Sequence, residues 1–248
     1  STATQVSAWW SHSLVLLNDG TVKAFWVNNF GELWDWTTTN RTTPVTVSWI
    51  STATQVSAWR NHSLFLLNDG TVKAVWYNNF GQLWDWTTTN RTTPVTVSLI
   101  STATQVSAWA YHTLFYSWDN EVKTVWYNNI GQLWDWTTAN KTTPVVVIWS
   151  TEVEQVSIWN DYSLYLLIDG TVKAVWKNNL WQLWDWTTTD RIVPINIWVT
   201  NVTQIVAWHW WHSLFLLNDG TVKSVWYNAF GQLWDWTTTN RTTPVTVS

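Results

Sequence analysis

The side chains that could do chemistry recur at regular intervals along the chain. Histidine stands at one recurring position, with tyrosine in one copy: His12, His62, His112, Tyr162 and His212. Aspartate occupies a second: Asp35, Asp85, Asp135, Asp185 and Asp235. Several histidines could ligate a metal ion, and paired carboxylates could act as general acid and base. Both possibilities have to be weighed against the regularity of the spacing.

That regularity favours structural roles. A residue repeated at the same place in a strand is explained by a repeated hydrogen bond, and Tyr162 would interrupt a ring of metal ligands. Catalytic carboxylates need unequal environments to separate their pKa values, whereas equivalent aspartates share one environment and fit a turn-stabilising role. Around Ser11-His12-Ser13 no aspartate is spaced to orient the histidine as in a catalytic triad. We therefore predict a non-enzyme with no catalytic residue, no metal site and no cofactor.

Composition narrows the range of partners. Hydrophobic residues make up 46% of the 248 residues and charged residues 11%, which favours a packed core over disorder. The net charge of -4, without a run of Lys or Arg, predicts that nucleic acid is not a partner. No stretch reaches the roughly 18 apolar residues of a membrane span, so no membrane association is predicted. The chain has no Cys or Met and opens in mid-pattern, so we expect it to be part of a longer product.

The whole chain is a tandem repeat of about fifty residues. The sequence Ser1-Thr2-Ala3-Thr4-Gln5 returns at Ser51 and Ser101, and in diverged form at Thr151. Near Asn201 it returns with a one-residue slip, which an extra residue before His212 restores. The five repeat units, here called units 1 to 5, are residues 1–50, 51–100, 101–150, 151–200 and 201–248.

Each unit is predicted to form four strands and no helix. In unit 1 the strands are predicted over residues 5–9, 12–17, 21–25 and 44–47, from polar–apolar alternation and short apolar runs. Asn18-Asp19-Gly20 predicts a hairpin turn that needs positive φ, and Asn120, a residue tolerant of that conformation, replaces the glycine in unit 3. Pro44 leads the last strand, which suits a sheet edge because proline donates no amide hydrogen bond.

Four short antiparallel strands per unit correspond to one blade of a β-propeller. A β-solenoid is the main competitor, but its coils are usually shorter and lack a repeated hairpin. We predict an all-β fold, a β-propeller of five four-stranded blades in a single domain over residues 1–248, either as a five-bladed ring or as part of a larger propeller.

The repeat resembles those of the regulator of chromosome condensation family across essentially the whole chain. The resemblance rests on the segments of unit 2 at residues 55–58 (QVSA), 62–64 (HSL), 67–72 (LNDGTV), 78–83 and 87–95. It implies a β-propeller, usually of seven blades, that serves mainly as a protein-binding surface, from nucleotide exchange on a small GTPase to inhibition of bacterial β-lactamase. Exchange activity depends on family features outside the repeat motif and is not carried over to this chain.

Tryptophan departs from that resemblance. The family has glycine at the equivalents of Trp9, Trp26, Trp34 and Trp36, positions that account for twenty of the 28 tryptophans. Within this chain, a position that is glycine in four units is Trp181 in unit 4. One hypothesis is that many of these tryptophans are UGA codons, which certain bacteria read as glycine; positive φ or exposed indoles are then expected at Trp34 and Trp36. The alternative is a genuine tryptophan-rich propeller with indoles packed between its blades.

One short connection differs in every unit, and loops on a rigid scaffold are where recognition usually resides. The binding residues predicted there are Arg60, Asn61, Tyr111, Asn160, Asp161 and His209. The leading hypothesis is a non-catalytic protein-interaction scaffold with a protein partner. The alternative is a lectin-like, carbohydrate-binding propeller in which exposed tryptophans stack on sugar rings.

Overall fold

In the part of the chain that the computed structural model describes, all helices and strands are β-strands. The described residues are 1–8, 12–28, 33–59, 62–76, 78, 83, 85–108, 112–126, 137, 139, 141–147, 152–159, 162–176, 189, 191–208 and 212–247. Within these ranges no helix is long and apolar enough to cross a membrane.

Each unit forms its own four-stranded antiparallel sheet in sequential strand order. Unit 1 contains β1 (Ala3–Ala8), β2 (His12–Leu17), β3 (Val22–Trp26) and β4 (Arg41–Thr46). Unit 2 contains β5 (Ala53–Trp59), β6 (His62–Leu67), β7 (Val72–Trp76) and β8 (Arg91–Thr96). Unit 3 contains β9 (Ala103–Ala108), β10 (His112–Ser117), β11 (Val122–Trp126) and β12 (Lys141–Val146). Unit 4 contains β13 (Val153–Trp159), β14 (Tyr162–Leu167), β15 (Val172–Trp176) and β16 (Arg191–Ile197). Unit 5 contains β17 (Val202–Trp208), β18 (His212–Leu217), β19 (Val222–Trp226) and β20 (Arg241–Thr246).

The hairpin between the second and third strands is confirmed. Gly20 has φ 81°, and its amide donates to the Leu17 carbonyl at 3.0 Å. The Asp19 carboxylate accepts from the amide of Thr21 at 3.0 Å, as in an Asx turn. Asn120 takes the glycine's place in unit 3 with φ 62°. This turn therefore needs the left-handed backbone that glycine and asparagine provide most cheaply.

The fourth strand is longer than predicted. It begins at Arg41, so Pro44 is its fourth residue and does not lead it. The register between β3 and β4 shifts between Ala24 and Trp26, and a bulge of this kind tolerates a proline. The predicted position at the sheet edge is confirmed, because β4 pairs only with β3 in its sheet.

The sheets fall into two compact groups, each with its own core. The first group comprises residues 1–128 and 139–147 and contains the sheets of units 1 to 3. Leu14, Val22, Val56 and Phe65 are among its buried side chains. The second group comprises residues 129–138 and 148–248 and contains the sheets of units 4 and 5, with Ile205 and Phe215 buried in it.

Successive sheets within each group are joined by side chains of their first strands. In the first group, Gln5 Oε1 accepts from the Val56 amide at 2.8 Å, and Ser7 Oγ accepts from the Ala58 amide at 2.9 Å. Three further contacts of the same kind are Gln55 with Val106 (2.8 Å), Ser57 with Ala108 (3.1 Å) and, in the second group, Ser157 with Ala207 (2.9 Å). A polar side chain of one unit therefore satisfies the backbone of the next.

The first strand of unit 1 is uncovered. Val6 on β1 is 70% exposed, whereas its equivalent Val56 on β5, which follows another unit, is 1% exposed. The difference shows how much apolar surface a preceding unit covers.

Candidate functional site

The predicted binding residues lie in the connections between the first and second strands of their units. Arg60, Asn61, Tyr111, Asn160, Asp161 and His209 are all outside the residues that the structure describes. Their flanking strands are described. Trp59 of β5 pairs with His62 of β6, so two residues connect a closed strand pair.

The same end of the sheet carries a long loop. Trp26, the last residue of β3, pairs with His12, the first residue of β2. The loop of residues 27–40 therefore leaves the sheet beside the short connection. We call this the loop end of a unit, and the end with the Asn18-Asp19-Gly20 hairpin its turn end.

The histidine position at the loop end has a structural role, as predicted. His12 is buried, and its Nε2 lies 2.7 Å from Ser63 Oγ of the next unit. His62 Nε2 lies 3.5 Å from Thr113 Oγ1 in turn. Burial lowers the pKa of His12 to about 4, and burial together with the charge of His12 lowers the pKa of His62 to about 4. Both rings are therefore neutral at neutral pH and bind the adjacent unit.

Asn28 organises the long loop. Its Nδ2 donates to Asp35 Oδ1 and to the Thr37 carbonyl, both at 3.0 Å. Its Oδ1 accepts from the Leu33 amide at 2.8 Å, and its own amide donates to Asn40 Oδ1 at 2.8 Å. The side chain is fully buried, so these bonds satisfy it away from water. The same network surrounds Asn78 in unit 2 and Asn228 in unit 5.

The recurring aspartate completes this network. Asp35 accepts at Oδ1 from the Thr37 amide (3.1 Å) and hydroxyl (2.7 Å), and at Oδ2 from Arg41 Nε (2.6 Å). Partial burial raises the pKa of Asp35, but the hydrogen bonds from Thr37 and Arg41 outweigh it and hold the pKa below its ordinary value. The same balance sets the pKa of Asp235 at about 2. The predicted turn-stabilising role of the aspartate is confirmed, and Arg41 braces the same loop through its bonds to Asp35 and Thr37.

The long loop of unit 1 folds back against its own sheet and the next one. The Trp34 carbonyl accepts from the Ser48 amide at 3.3 Å, beyond the end of β4. The Trp34 indole makes edge contacts with His12, at 6.2 Å between ring centroids, and with Phe65 of unit 2, at 5.0 Å. The insertion of Trp34 was not predicted from the sequence, because the pattern of this loop indicates only a polar connection.

Tryptophans of this loop have positive φ angles, a backbone conformation that usually requires glycine. Trp34 and Trp36 have φ 53° and 65°, as expected from the sequence, and φ of Trp26 is 109°. The Trp9 position differs, because Trp59, its equivalent in unit 2, is a buried residue of β5 without positive φ. Trp181 lies outside the described residues.

In unit 5 the loop surrounds an open concavity of about 710 Å³. Its lining is Gly231, Trp234, Trp236 and residues 237–239, all threonines. The Trp234 and Trp236 side chains are 66% and 89% exposed. Aromatic faces beside hydroxyl groups are suited to contact with a ligand.

A repeated four-stranded antiparallel sheet, joined to the next by its first strand, defines a protein of the β-propeller repeat class. Solved structures with this fold are similar over 99% of the chain. Human WBSCR16 matches with a TM-score of 0.84 and 20% identity, and Saccharomyces cerevisiae Prp20p with 0.80 and 20%. Yeast RCC1 (Prp20) bound to Kap60 matches with 0.81 and 18% identity.

The chain has the fold of these RCC1-type propellers and is shorter than they are. It spans 67%, 63% and 61% of the three chains, respectively. No family model and no curated protein matches the sequence.

Proposed function

We propose that this chain is a non-catalytic protein-interaction scaffold whose loop ends bind a protein partner. The observation that carries the proposal is its fold. One similar structure is described with the binding of Prp20p to Gsp1p and histones, and another is a complex of yeast RCC1 with Kap60. Both structures contain Prp20, a propeller that binds proteins.

The division between constant and variable parts supports this function. The Asn28, Asp35 and Arg41 network returns with equivalent residues in units 2 and 5, where the bond lengths are nearly the same. These long loops therefore have the same conformation in the units compared, whereas the sequences of the short connections beside them differ from unit to unit. They offer a cation at Arg60, an aromatic ring at Tyr111 and an anion at Asp161. A mixed set of this kind suits a protein surface better than a polyanion.

The state of the titratable groups supports the absence of catalysis. The Asp35 carboxylate is occupied by donors from Asn28, Thr37 and Arg41. The His12 ring is buried against Ser63 with a lowered pKa. General acid–base catalysis needs a group with a pKa near the working pH and access to substrate. These two groups instead stabilise the scaffold.

The test compares two sets of substitutions in affinity capture from the source organism. In the first set the six loop-end residues Arg60, Asn61, Tyr111, Asn160, Asp161 and His209 are changed to serine. In the control set the exposed turn-end residues Asn68 and Asn218 are changed to serine. We expect the first set to abolish capture of the partner and the control to retain it, with thermal stability unchanged in both. Equal capture by the first set and the unaltered chain would exclude the loop end as the binding surface.

The concavity in unit 5 favours carbohydrate binding as a second candidate function. Trp236 presents an exposed face beside the hydroxyls of residues 237–239, an arrangement suited to stacking and hydrogen bonding with a sugar. Calorimetric titration with mono- and disaccharides tests it. If the site binds sugar, the titration should give a saturable heat that Trp236→Ala abolishes and Trp198→Ala retains. Trp198 is the control because its side chain is also mostly exposed but lies outside the concavity.

A further inference from the structure

Tryptophan has a left-handed backbone at the positions of Trp26, Trp34 and Trp36, and also at Trp49, where unit 2 has Leu99. Trp34 and Trp234 share φ 53°, and Trp36, Trp86 and Trp236 have φ 65°, 65° and 61°. Residues other than glycine, asparagine and aspartate are disfavoured in this region. Trp26, at φ 109°, lies beyond the range of about 50° to 70° that L-residues reach.

The hairpins at the turn end obey the usual preference. The turn-end hairpins use glycine at φ 78° to 83° in four units and Asn120 at 62° in the remaining one. Gly231 has φ 75° in the loop, at the position where unit 4 has Trp181. Glycine and tryptophan are therefore exchanged at a position that in unit 5 has positive φ. No physical property shared by the two residues explains that exchange.

The contacts of the indole side chains do not explain why tryptophan stands at these positions. The Trp36, Trp86 and Trp236 side chains are 69%, 71% and 89% exposed, so they lack the burial that makes tryptophan stabilising. Trp34 is 3% exposed, and its buried Nε1 has no hydrogen-bond acceptor, whereas its equivalent Trp234 is 66% exposed. Across units the backbone conformation is preserved and the surroundings of the indole are not. These positions therefore preserve a conformation suited to glycine.

We propose that the native polypeptide carries glycine at the positions of Trp26, Trp34 and Trp36 and at their equivalents in the other units. The corresponding codons would be UGA, which the source organism reads as glycine. A UGA codon differs from the glycine codon GGA in one base, so tandem repeats can exchange the two readily. The position of Trp49 is left out, because Leu99 adopts φ 64° there and Trp49 adopts 67°.

Two samples test the assignment directly. The gene should have UGA at these positions, and the protein purified from its source should have a lower intact mass, by one tryptophan-to-glycine difference per position. Peptide sequencing by mass spectrometry across residues 33–40 reads Trp34 and Trp36 individually. Tryptophan in those native peptides, or UGG codons in the gene, would refute the proposal. Neither result bears on partner binding at the loop end, so the two proposals fail separately. Carbohydrate binding requires Trp236 to be genuine, so glycine at that position would exclude the second candidate function.

A matched pair of substitutions in recombinant protein tests the physical basis. Trp36→Gly removes the indole and relieves the backbone, whereas Trp36→Ala removes only the indole. We expect the glycine variant to have a folding equilibrium constant about 5- to 30-fold greater than the alanine variant, and the same at Trp86 and Trp236. At Trp198, which is 78% exposed without positive φ, alanine should be at least as stable as glycine. Equal stability of the Gly and Ala variants at all three loop positions would overturn the argument.

Discussion

The side-chain oxygen of Gln5 accepts a 2.8 Å hydrogen bond from the amide of Val56, 51 residues further along the chain. Because the bond joins side chain to backbone, it depends on glutamine in one unit and only on strand geometry in the next. The contact returns between Gln55 and Val106 and between Gln155 and Ile205.

Gln55→Leu is therefore expected to destabilise the boundary between units 2 and 3. The Val106 amide would lose its acceptor in a partly buried place, at a cost of about 1–2 kcal/mol. Gln204→Leu is the control, because Gln204 is the equivalent in unit 5 and is exposed; its cost should stay within about 0.5 kcal/mol. Chemical denaturation of both variants provides the comparison. Equal losses would show that leucine disturbs the strand itself.

Stability should begin to fall in mildly acidic solution. His12 and His62 have pKa values of about 4 in the folded chain against an ordinary 6.5, so the unfolded chain binds more protons between these values. The free energy of unfolding therefore declines as pH falls from 6.5 to 4. Asp35 and Asp235, with lowered pKa values, extend the decline below 3.8.

A pH series of denaturation curves checks this expectation. His12→Gln should flatten the slope between pH 6.5 and 4, because glutamine can bond to Ser63 without titrating. An unchanged slope in this variant would show that other groups control the acid sensitivity.

Asp85 should be the most sensitive residue of its loop. Asp85→Ala removes the acceptor for Asn78, Thr87 and Arg91 at once, and we expect a loss of about 2–3 kcal/mol. Asp85→Asn keeps one acceptor oxygen and should lose less. Asp169→Ala, which removes an exposed turn-end carboxylate, serves as the control and should cost less than either. Thermal and chemical unfolding measure all three, and a smaller loss for Asp85→Ala than for Asp169→Ala contradicts the bracing role.

A further unit placed before β1 should stabilise the chain. Val6 is 70% exposed where Val56 is 1% exposed, so an added copy of residues 51–100 would cover it and supply side-chain acceptors to the amides of Val6 and Ala8. Slower hydrogen exchange at these two amides is the expected result. An added copy with Gln55→Leu and Ser57→Ala should protect them less.

Much of the fold was predictable because each local signal has one physical cause. The hairpin follows from a residue that tolerates positive φ, and even its exception, Asn120, obeys the rule. The sheet-edge position of Pro44 follows from its missing amide, but the true start of that strand at Arg41 does not. A bulge lets pairing continue past the proline, and bulges have no clear sequence signal.

The candidate site was predictable in part. The recurrence of Asp35 indicated a turn-stabilising role, which its bonds to Thr37 confirm; its ion pair with Arg41 at 2.6 Å was not predicted. The role of Gln5 and Ser7 was missed, although both lie on the polar side of an alternating strand in most units. Their partners are backbone groups, which carry no residue identity for a sequence pattern to reveal. The predicted binding residues from Arg60 to His209 remain a prediction.

The bonds from Gln5 and Ser7 point one way along the chain, so a unit that has both residues carries an outgoing half and an incoming half of the same junction. An in-frame duplication of one unit would therefore arrive with both halves already matched. Proteins of this type can lengthen or shorten by recombination between copies without compensating mutations. Units 1 and 2 are nearly identical, and unit 5 is nearly identical to unit 2 from His212 onward, as recent exchange of this kind leaves them in a gene.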